Sequence, residues 1–175
     1  PQIFNVPVSP DWEKEQKLLL SLLTQEEYAD ARASTVNAFY TPDEVISFMY
    51  KTVERMGFQG GRILEPALGT GKFISGCTDT INSNFTGVEL DTITGRIAKL
   101  IYPDANIRIQ GFENATLRDD YYDLVISNVP FGNYHVHDPK YKKMKMPIHD
   151  YFFAKALDKV KPGGIVAFIT SRFTM

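Results

Sequence analysis

Cysteine is almost absent from this chain: Cys77 is the only one in 175 residues. An internal disulfide and a cysteine-rich zinc site are both excluded, and a reducing compartment suits the chain. Histidine is nearly as scarce, and neither His135 nor His137 has the carboxylate and histidine company of a metal site, so no metal is expected. Charge of one sign is missing as well. Lys and Arg number 19 against 21 Asp and Glu, for a net charge of -2, so a nucleic-acid partner has to be met by a local basic patch rather than a global field. No apolar run approaches membrane-spanning length, and no charged-then-apolar leader opens the chain. It is therefore expected to be soluble and cytoplasmic, with no membrane partner. Repeats and low-complexity tracts are absent too. The chain starts at Pro1 and ends at Met175 just past a strand-like run, and is expected to be a piece of a longer multidomain protein.

What is present is enough for one ordinary α/β core, since 43% of the residues are hydrophobic and 13% aromatic. The chain is organised around Arg62-Ile-Leu-Glu-Pro-Ala-Leu-Gly-Thr-Gly-Lys-Phe73. Ile63 and Leu64 end a buried strand, Glu65 is an acid where the strand stops, and Gly69 and Gly71 remove Cβ atoms that would keep a ligand from the backbone. Three cofactor classes use such a turn. A phosphate-cradling P-loop needs Ser or Thr after Gly-Lys, but Phe73 follows Lys72. The dinucleotide fingerprint needs a third glycine where Ile74 stands. Its absence, with the acid at Glu65, favours S-adenosylmethionine over NAD. A strand-to-helix turn without a ligand remains open at this point.

The first ten residues have no period and are expected to form an extended arm. Asp11 then caps a helix from Trp12 to Leu23 with a strong apolar face, and Thr24 with Glu27 is a capping-box pattern opening a second helix to about Ser34. Residues 1–36 are thus expected to be an arm and helical cover, and 37–175 a catalytic domain. Thr41 as N-cap and Pro42 at the first helical position begin a helix to about Gly57, with Val45, Ile46, Phe48, Met49 and Val53 facing a sheet. Tyr40 and Thr41 stand at its start, suited either to a small carboxylate or to a plain cap. Lys72 to about Asn82 is expected to be helical, and Phe85 to Leu90 is a second strand. Glu89, about twenty residues past the turn, would accept both ribose hydroxyls of a nucleoside from that strand's tip. Asp91 caps a helix to Tyr102, Ile107 to Gln110 is a third strand, and Phe112 or Glu113 at its tip would meet an adenine ring, unless the tip is a simple turn. Asp123 to Asn128 is a fourth strand, Ile148 to Val160 an amphipathic helix, Lys161 to Gly164 a turn and Ile165 to Thr170 a fifth strand. Between them, residues 133–147 read as a loop without an apolar period. This loop is the missing basic patch: Tyr134 and Tyr141 would stack on bases while Lys140, Lys142, Lys143 and Lys145 meet phosphates, or it is solvated and idle.

Asn128-Val-Pro-Phe131 resembles the Asn-Pro-Pro-Tyr/Phe tetrapeptide of amino-group methyltransferases, above all the N6-adenine DNA methyltransferases. Tyr40-Thr-Pro42 resembles that family's methionine-end motif, Glu65 to Gly71 its glycine motif and Glu89 its ribose acid, in the family's order over about residues 37–171. More narrowly, Asn128 to Gly132, His137 to Tyr141 and His149 to Phe153 resemble methylase domains within large helicase-methyltransferase proteins of phages and conjugative elements. The resemblance implies a Rossmann-like parallel sheet of order 3-2-1-4-5 with helices on both faces, truncated before two further strands. It implies S-adenosylmethionine held by Tyr40, Thr41, Glu65, Pro66, Ala67, Gly69, Gly71, Glu89, Leu90, Phe112 and Glu113, with DNA as partner. Two departures stand out. Val129 replaces the first proline, where the family uses a backbone carbonyl that any residue supplies, and Phe112-Glu113 reverses the usual acid-aromatic order.

The implied reaction is methyl transfer to N6 of adenine in DNA. The Asn128 side chain and the Val129 carbonyl would each accept an amine hydrogen and turn the lone pair out of the ring. Phe131 would stack on a flipped base, and Pro130 would stiffen the loop. A C5-cytosine enzyme needs a cysteine nucleophile, and Cys77 lies after the glycine turn instead. Methylation of a protein glutamine or of RNA, and a non-catalytic cofactor module of a larger helicase, remain alternatives. Turnover by these 175 residues alone is expected to be weak or absent.

Overall fold

The computed structural model describes residues 2–37, 41–77, 82–132 and 134–171, and the side chains of 2 and 33–37 are left aside. Five strands form one parallel sheet: β1 (Gly61–Glu65), β2 (Ser83–Glu89), β3 (Asn106–Ile109), β4 (Tyr122–Asn128) and β5 (Val160–Ile169), in the order β3-β2-β1-β4-β5. The expected order 3-2-1-4-5 is the observed one. The central strands β1 and β4 are buried over most of their length, which is why they read as near-continuous apolar runs.

Alternation along the central strands assigns their side chains to two cores. Ile63 of β1 and Leu124 and Ile126 of β4 pack with Ile46, Tyr50 and Val53 of α3 (Asp43–Arg55) and Phe73 of α4 (Lys72–Ser75). On the opposite face, Leu64 and Val125 pack with Tyr151, Phe152 and Ala156 of α6 (Ile148–Lys159). Ala98 of α5 (Thr92–Ile101) covers Ile107 and Leu68. The sheet thus has helices on both faces. Connections run one way from β1 to β2 and the other way from β1 to β4, so the carboxyl ends of β1 and β4 flank the switch point where ligands bind in such sheets.

Ahead of the sheet lie α1 (Glu13–Leu22) and α2 (Gln25–Asn37). The capping box forms as expected: Glu27 N–H donates to Thr24 Oγ1 and Thr24 N–H to the Glu27 carboxylate, at 3.2 and 3.0 Å. Glu27 also pairs with Arg96 of α5 at 2.6 Å, fastening the helical cover to the sheet's helices.

Several boundaries and faces differ from expectation. The N-terminal arm is not extended: a turn of 3-10 helix at Gln2–Phe4 buries Phe4 against Tyr28, and Gln16 holds the Ile3 carbonyl. Pro10–Trp12 is a second such turn, so Trp12 rather than Asp11 occupies the N-cap of α1. The apolar face of α1 is exposed at Leu18, Leu20 and Leu22. In α3 the N-cap is Pro42, not Thr41, and Val45 and Phe48 face outward while Tyr50 takes the buried position. Tyr50 reaches the core because its hydroxyl finds the Phe73 carbonyl at 2.7 Å, which a count of apolar residues does not register. The helix after the glycine turn ends at Ser75, with Gly76 as its C-cap, rather than running to Asn82; residues 78–81 lie outside the described residues. Lys161 to Gly164 is not a turn but part of β5: Tyr122 pairs with Val160 and Leu124 with Ile165, so residues 161–164 bulge opposite the single Asp123. Lys161 closes that bulge by pairing with Asp123.

Candidate active site

The glycine turn leaves β1 at Glu65 and is pinned from two sides. Leu68 N–H donates to the Val88 carbonyl of β2 at 2.9 Å, and Gly71 N–H to the Leu68 carbonyl at 3.0 Å. Gly69 (φ 57) and Gly71 (φ 82) are both left-handed, a conformation costly for any residue with a Cβ. Their surroundings differ. A Cβ on Gly69 would meet nothing within 4 Å, whereas one on Gly71 would lie 2.5 Å from the Tyr102 ring. Only Gly69 fits the expectation of backbone left bare for a ligand. Gly71 is required by packing against α5.

Thr41, Glu65, Ala67, Gly69 and Asn128 line one cleft at the carboxyl ends of β1 and β4, together with Leu68, Thr70, Lys72 and Phe73. Sequence reasoning assigned Thr41, Glu65, Ala67 and Gly69 to the cofactor and Asn128 to the target amine, and the fold brings all five to one cleft. Pro66 lies buried in the same turn. The cleft is narrow, about 60 Å³, far below the roughly 300 Å³ at which small-ligand pockets begin. Tyr40 lies outside the described residues.

Two carboxylates dominate the cleft's electrostatics. Glu65 is only 1% exposed, and its Oε2 has no hydrogen-bond partner among the described residues. Burial, and then the charge of Glu89, push its carboxyl well above the usual glutamate range. Glu89 at the tip of β2 accepts from Gly69 N–H at 2.6 Å through Oε2 and from Asp91 N–H at 2.8 Å through Oε1. Its pKa is raised because burial outweighs those hydrogen bonds. The acid expected to take ribose hydroxyls thus also ties the glycine turn to β2. Next to it Leu90 is exposed.

Asn128 ends β4 at this edge. Val129 is buried, its N–H donating to the Ile169 carbonyl of β5 at 3.1 Å, so its backbone is fixed relative to the sheet. Pro130 is half-buried and the Phe131 ring reaches the surface.

Two sets of expected contacts are corrected. Phe112 is 3% exposed and packs its ring against Tyr151 and Phe152, so it belongs to the core under α6 and not to an adenine face; Glu113 beside it stays partly open. In the segment after the tetrapeptide, Tyr141 is 8% exposed, stacks edge-on against Tyr151 and donates its hydroxyl to Asp158, so most of its ring is taken up by packing. Lys140 pairs with Asp158 at 2.7 Å and Asp119 at 3.3 Å instead of standing ready for phosphates. Tyr134, Lys142, Lys143 and Lys145 remain exposed. The segment is a loop, as expected, but one anchored to the core. Val136 and Met146 pack on the core, Lys142–Met144 form a 3-10 turn, and a concavity of about 270 Å³ opens between Tyr141, Tyr151, His135 and the lysines 142 and 145.

Sequence reasoning missed the buried cations of α6. Lys155 and Lys159 lie inside the core layer, holding carbonyls of the β3–β4 connection. A signal was present: Ile148, Tyr151, Phe152, Lys155, Ala156 and Lys159 form one stripe at helical spacing, and all are buried. Among the described residues no cluster of His, Cys, Asp and Glu is arranged to hold a metal, and no helix is long and apolar enough to cross a membrane.

Against known proteins, the sequence model of the N-6 DNA Methylase family matches residues 22–175. The chain is 31% identical over 160 residues to the defense against restriction protein B of Escherichia phage P1, covering 89% of this chain and 7% of the phage protein. It is 27% identical over 144 residues to the modification methylase CviBIII of Paramecium bursaria Chlorella virus NC1A, covering 79% and 38%. It thus spans well under half the length of either relative. Among solved structures, an S-adenosylmethionine-dependent methyltransferase from Clostridium acetobutylicum superposes with a TM-score of 0.55 at 20% identity, over 73% of this chain and 50% of the other, a likeness of fold.

Proposed function

The chain belongs to the N-6 DNA methylase family, and from that membership we propose that it transfers a methyl group from S-adenosylmethionine to the exocyclic N6 amine of adenine in DNA. The observation that carries the reading is the convergence of Asn128, the Gly69 backbone and the buried, unpartnered Glu65 oxygen on one cleft at the switch point of the sheet.

The residues present suit a cationic nucleoside. Glu65 presents an acceptor without a donor, and a ligand carrying positive charge would favour its ionised form. Thr41 supplies a hydroxyl on the same wall, and the carboxylate of Glu89 stands at the tip of β2 beside Gly69. Glu65, Thr41, Ala67 and the Gly69 backbone would hold the cofactor, with Glu89, Leu90 and Glu113 toward its nucleoside end. When bound, S-adenosylmethionine supplies a methyl group made electrophilic by its sulfonium.

The chain's own part is to prepare the amine. N6 of adenine is a poor nucleophile because its lone pair is delocalised into the ring. The Asn128 side chain and the Val129 carbonyl accept one amine hydrogen each, which favours the geometry in which the lone pair leaves the ring plane. Those interactions strengthen as positive charge develops on nitrogen, so they act on the transition state more than on the ground state. The bond from Val129 N–H to the Ile169 carbonyl holds the Asn128–Val129 peptide, the one just before that carbonyl, against β5. Phe131 offers a surface ring on which an extruded base stacks. Tyr134, Lys142, Lys143 and Lys145 then face the DNA backbone.

Mass spectrometry of nucleosides from DNA incubated with methyl-labelled cofactor and a protein that carries this chain together with a target-recognition segment tests the reading. Labelled N6-methyldeoxyadenosine is expected. Label on cytosine, RNA or a protein glutamine, with none on adenine, would overturn it.

A further inference from the structure

We propose that Lys155 is a positioning residue that couples cofactor binding at the glycine turn to DNA binding on segment 134–147. This rests on the cofactor and DNA reading above.

Hydrogen bonds and short stretches of chain join the two places. Gly69 N–H donates to the Glu89 side chain at 2.6 Å, and the Glu89 carbonyl accepts from Gln110 N–H at 2.8 Å. The chain then turns through Phe112 and Glu113, whose carbonyls both accept from Lys155 Nζ, at 2.7 and 3.1 Å. The third acceptor of that ammonium is Asp138 Oδ2, at 3.1 Å. Asp138 in turn organises the segment: its Oδ2 accepts from Tyr151 Oη at 2.7 Å, its Oδ1 from Lys140 N–H at 3.0 Å, and its carbonyl from Tyr141 N–H at 3.1 Å.

An ammonium has three hydrogens, and all three of these acceptors come from the two segments to be joined. Lys155 is 5% exposed with both segments in place. Burial pulls its pKa down, while the hydrogen bonds from Tyr151 and Lys155 hold Asp138 below the usual carboxylate range despite burial. Withdrawing either segment would strand a buried charge, which is strongly unfavourable. The tip at 112–113 and the segment anchored by Asp138 are therefore expected to hold or release together. A cofactor that fixes the tip favours the ordered segment, and by reciprocity DNA on the segment raises cofactor affinity by the same factor. Lys159, one turn further along α6, is the natural control. It is equally buried, but binds Leu117 O and Asp119 and no part of 112–113 or Asp138.

The test is titration calorimetry of S-adenosylhomocysteine, which has no methyl group to transfer, with and without an unrelated duplex at low salt, saturation being checked by anisotropy. In the parent sequence the duplex is expected to tighten the ligand about fivefold or more, the lower end of measured couplings. In Lys155→Met the affinity without duplex should stay within about twofold while the duplex effect disappears, and Lys159→Met should keep it. A residue that merely stabilised the fold would lower Tm or shift both affinities together, leaving their ratio intact. Asp138→Asn, which preserves shape, should also lose the effect and serves if Lys155→Met does not fold. A ratio of one in the parent sequence, an undiminished ratio in Lys155→Met or Asp138→Asn, or equal loss in Lys159→Met would overturn the coupling. Absence of ligand binding would refute the cofactor reading itself, and absence of duplex binding the DNA side, and the coupling falls with either.

Discussion

Replacing Glu65 with glutamine should make the chain more stable as pH rises. In the folded state burial, and then Glu89, lift the Glu65 carboxyl well above its ordinary value near 4.5. Between 4.5 and that raised value the folded chain keeps a proton that the unfolded chain has lost. Stability therefore falls with rising pH, by about 1.36 kcal/mol per pH unit for one proton. The contribution is intact below the unfolded pKa and lost as pH climbs through the window. Glutamine has the same shape and no proton to bind, so it removes this slope. Leaving its amide poorly partnered costs an amount that does not change with pH. At about 2–4 °C per kcal/mol for a chain of this size, the Tm of Glu65→Gln relative to the parent should rise about 3–5 °C per pH unit from about pH 5 upward, then level off at the folded pKa. The lowered groups do not confuse the measurement: Asp123, held near 2 by Lys161 and Arg62 against the effect of burial, and Asp119, Asp138 and Asp158 lose their contributions below the window. Glu89, raised like Glu65, keeps its own slope in both proteins. The assay is a set of thermal melts at about pH 5, 6, 7 and 8. Parallel Tm curves would refute the argument that Glu65 is buried without compensation. Cofactor affinity, measured by calorimetry, should fall in the same variant, because an amide does not offer a cation a carboxylate.

Gly71→Ala should cost about 2–4 kcal/mol, the left-handed backbone plus overpacking against Tyr102, while Gly69→Ala costs only about 1–2 for the backbone; equal denaturation midpoints would contradict the packing role of Gly71. Asn128→Ala should leave cofactor affinity intact and slow methyl transfer by about 10² or more, and loss of both in calorimetry and transfer assays would move Asn128 into the cofactor site. Removing Lys142, Lys143 and Lys145 together should flatten the dependence of log K on log salt by about 0.9 for each phosphate no longer neutralised, whereas Lys140→Ala, already paired with two aspartates, should leave anisotropy salt titrations unchanged.

The sheet was legible because its signals are local. Ile63-Leu64 and Leu124-Val-Ile126 are apolar on both faces, and Glu65, Glu89 and Asn128 each end a strand, so spacing alone gathers them at one edge. The cap at Asp91, accepting from Thr94 N–H at 2.6 Å, needs only neighbours in sequence. Where partners are distant, the reading failed. Residues 134–147 lack a period because their order comes from outside them: Asp138 is held by Tyr151 and Lys155, and Tyr141 by Asp158. Phe112 reads as an exposed tip until α6 is laid over it. Gly71 reads as a ligand glycine until Tyr102 of the next crossover is found against it.

Helix α6 shows where that limit lies. Its sequence contains a demand without its supplier, since two lysines fall in a stripe whose other members are apolar or aromatic, and a buried ammonium must find acceptors. The demand can be read at positions 155 and 159, but the acceptors are backbone carbonyls at 112, 113 and 117, and every residue has a carbonyl. Side-chain identity therefore cannot name them. Only the crossover that carries α6 over the β3–β4 connection selects those three, and the same crossover sets Asp138 beside Lys155 to balance its charge. A catalytic motif can be recognised from its own residues because its chemistry resides in side chains. The scaffold that aims it is written in backbone groups, and it becomes visible once the chain is folded.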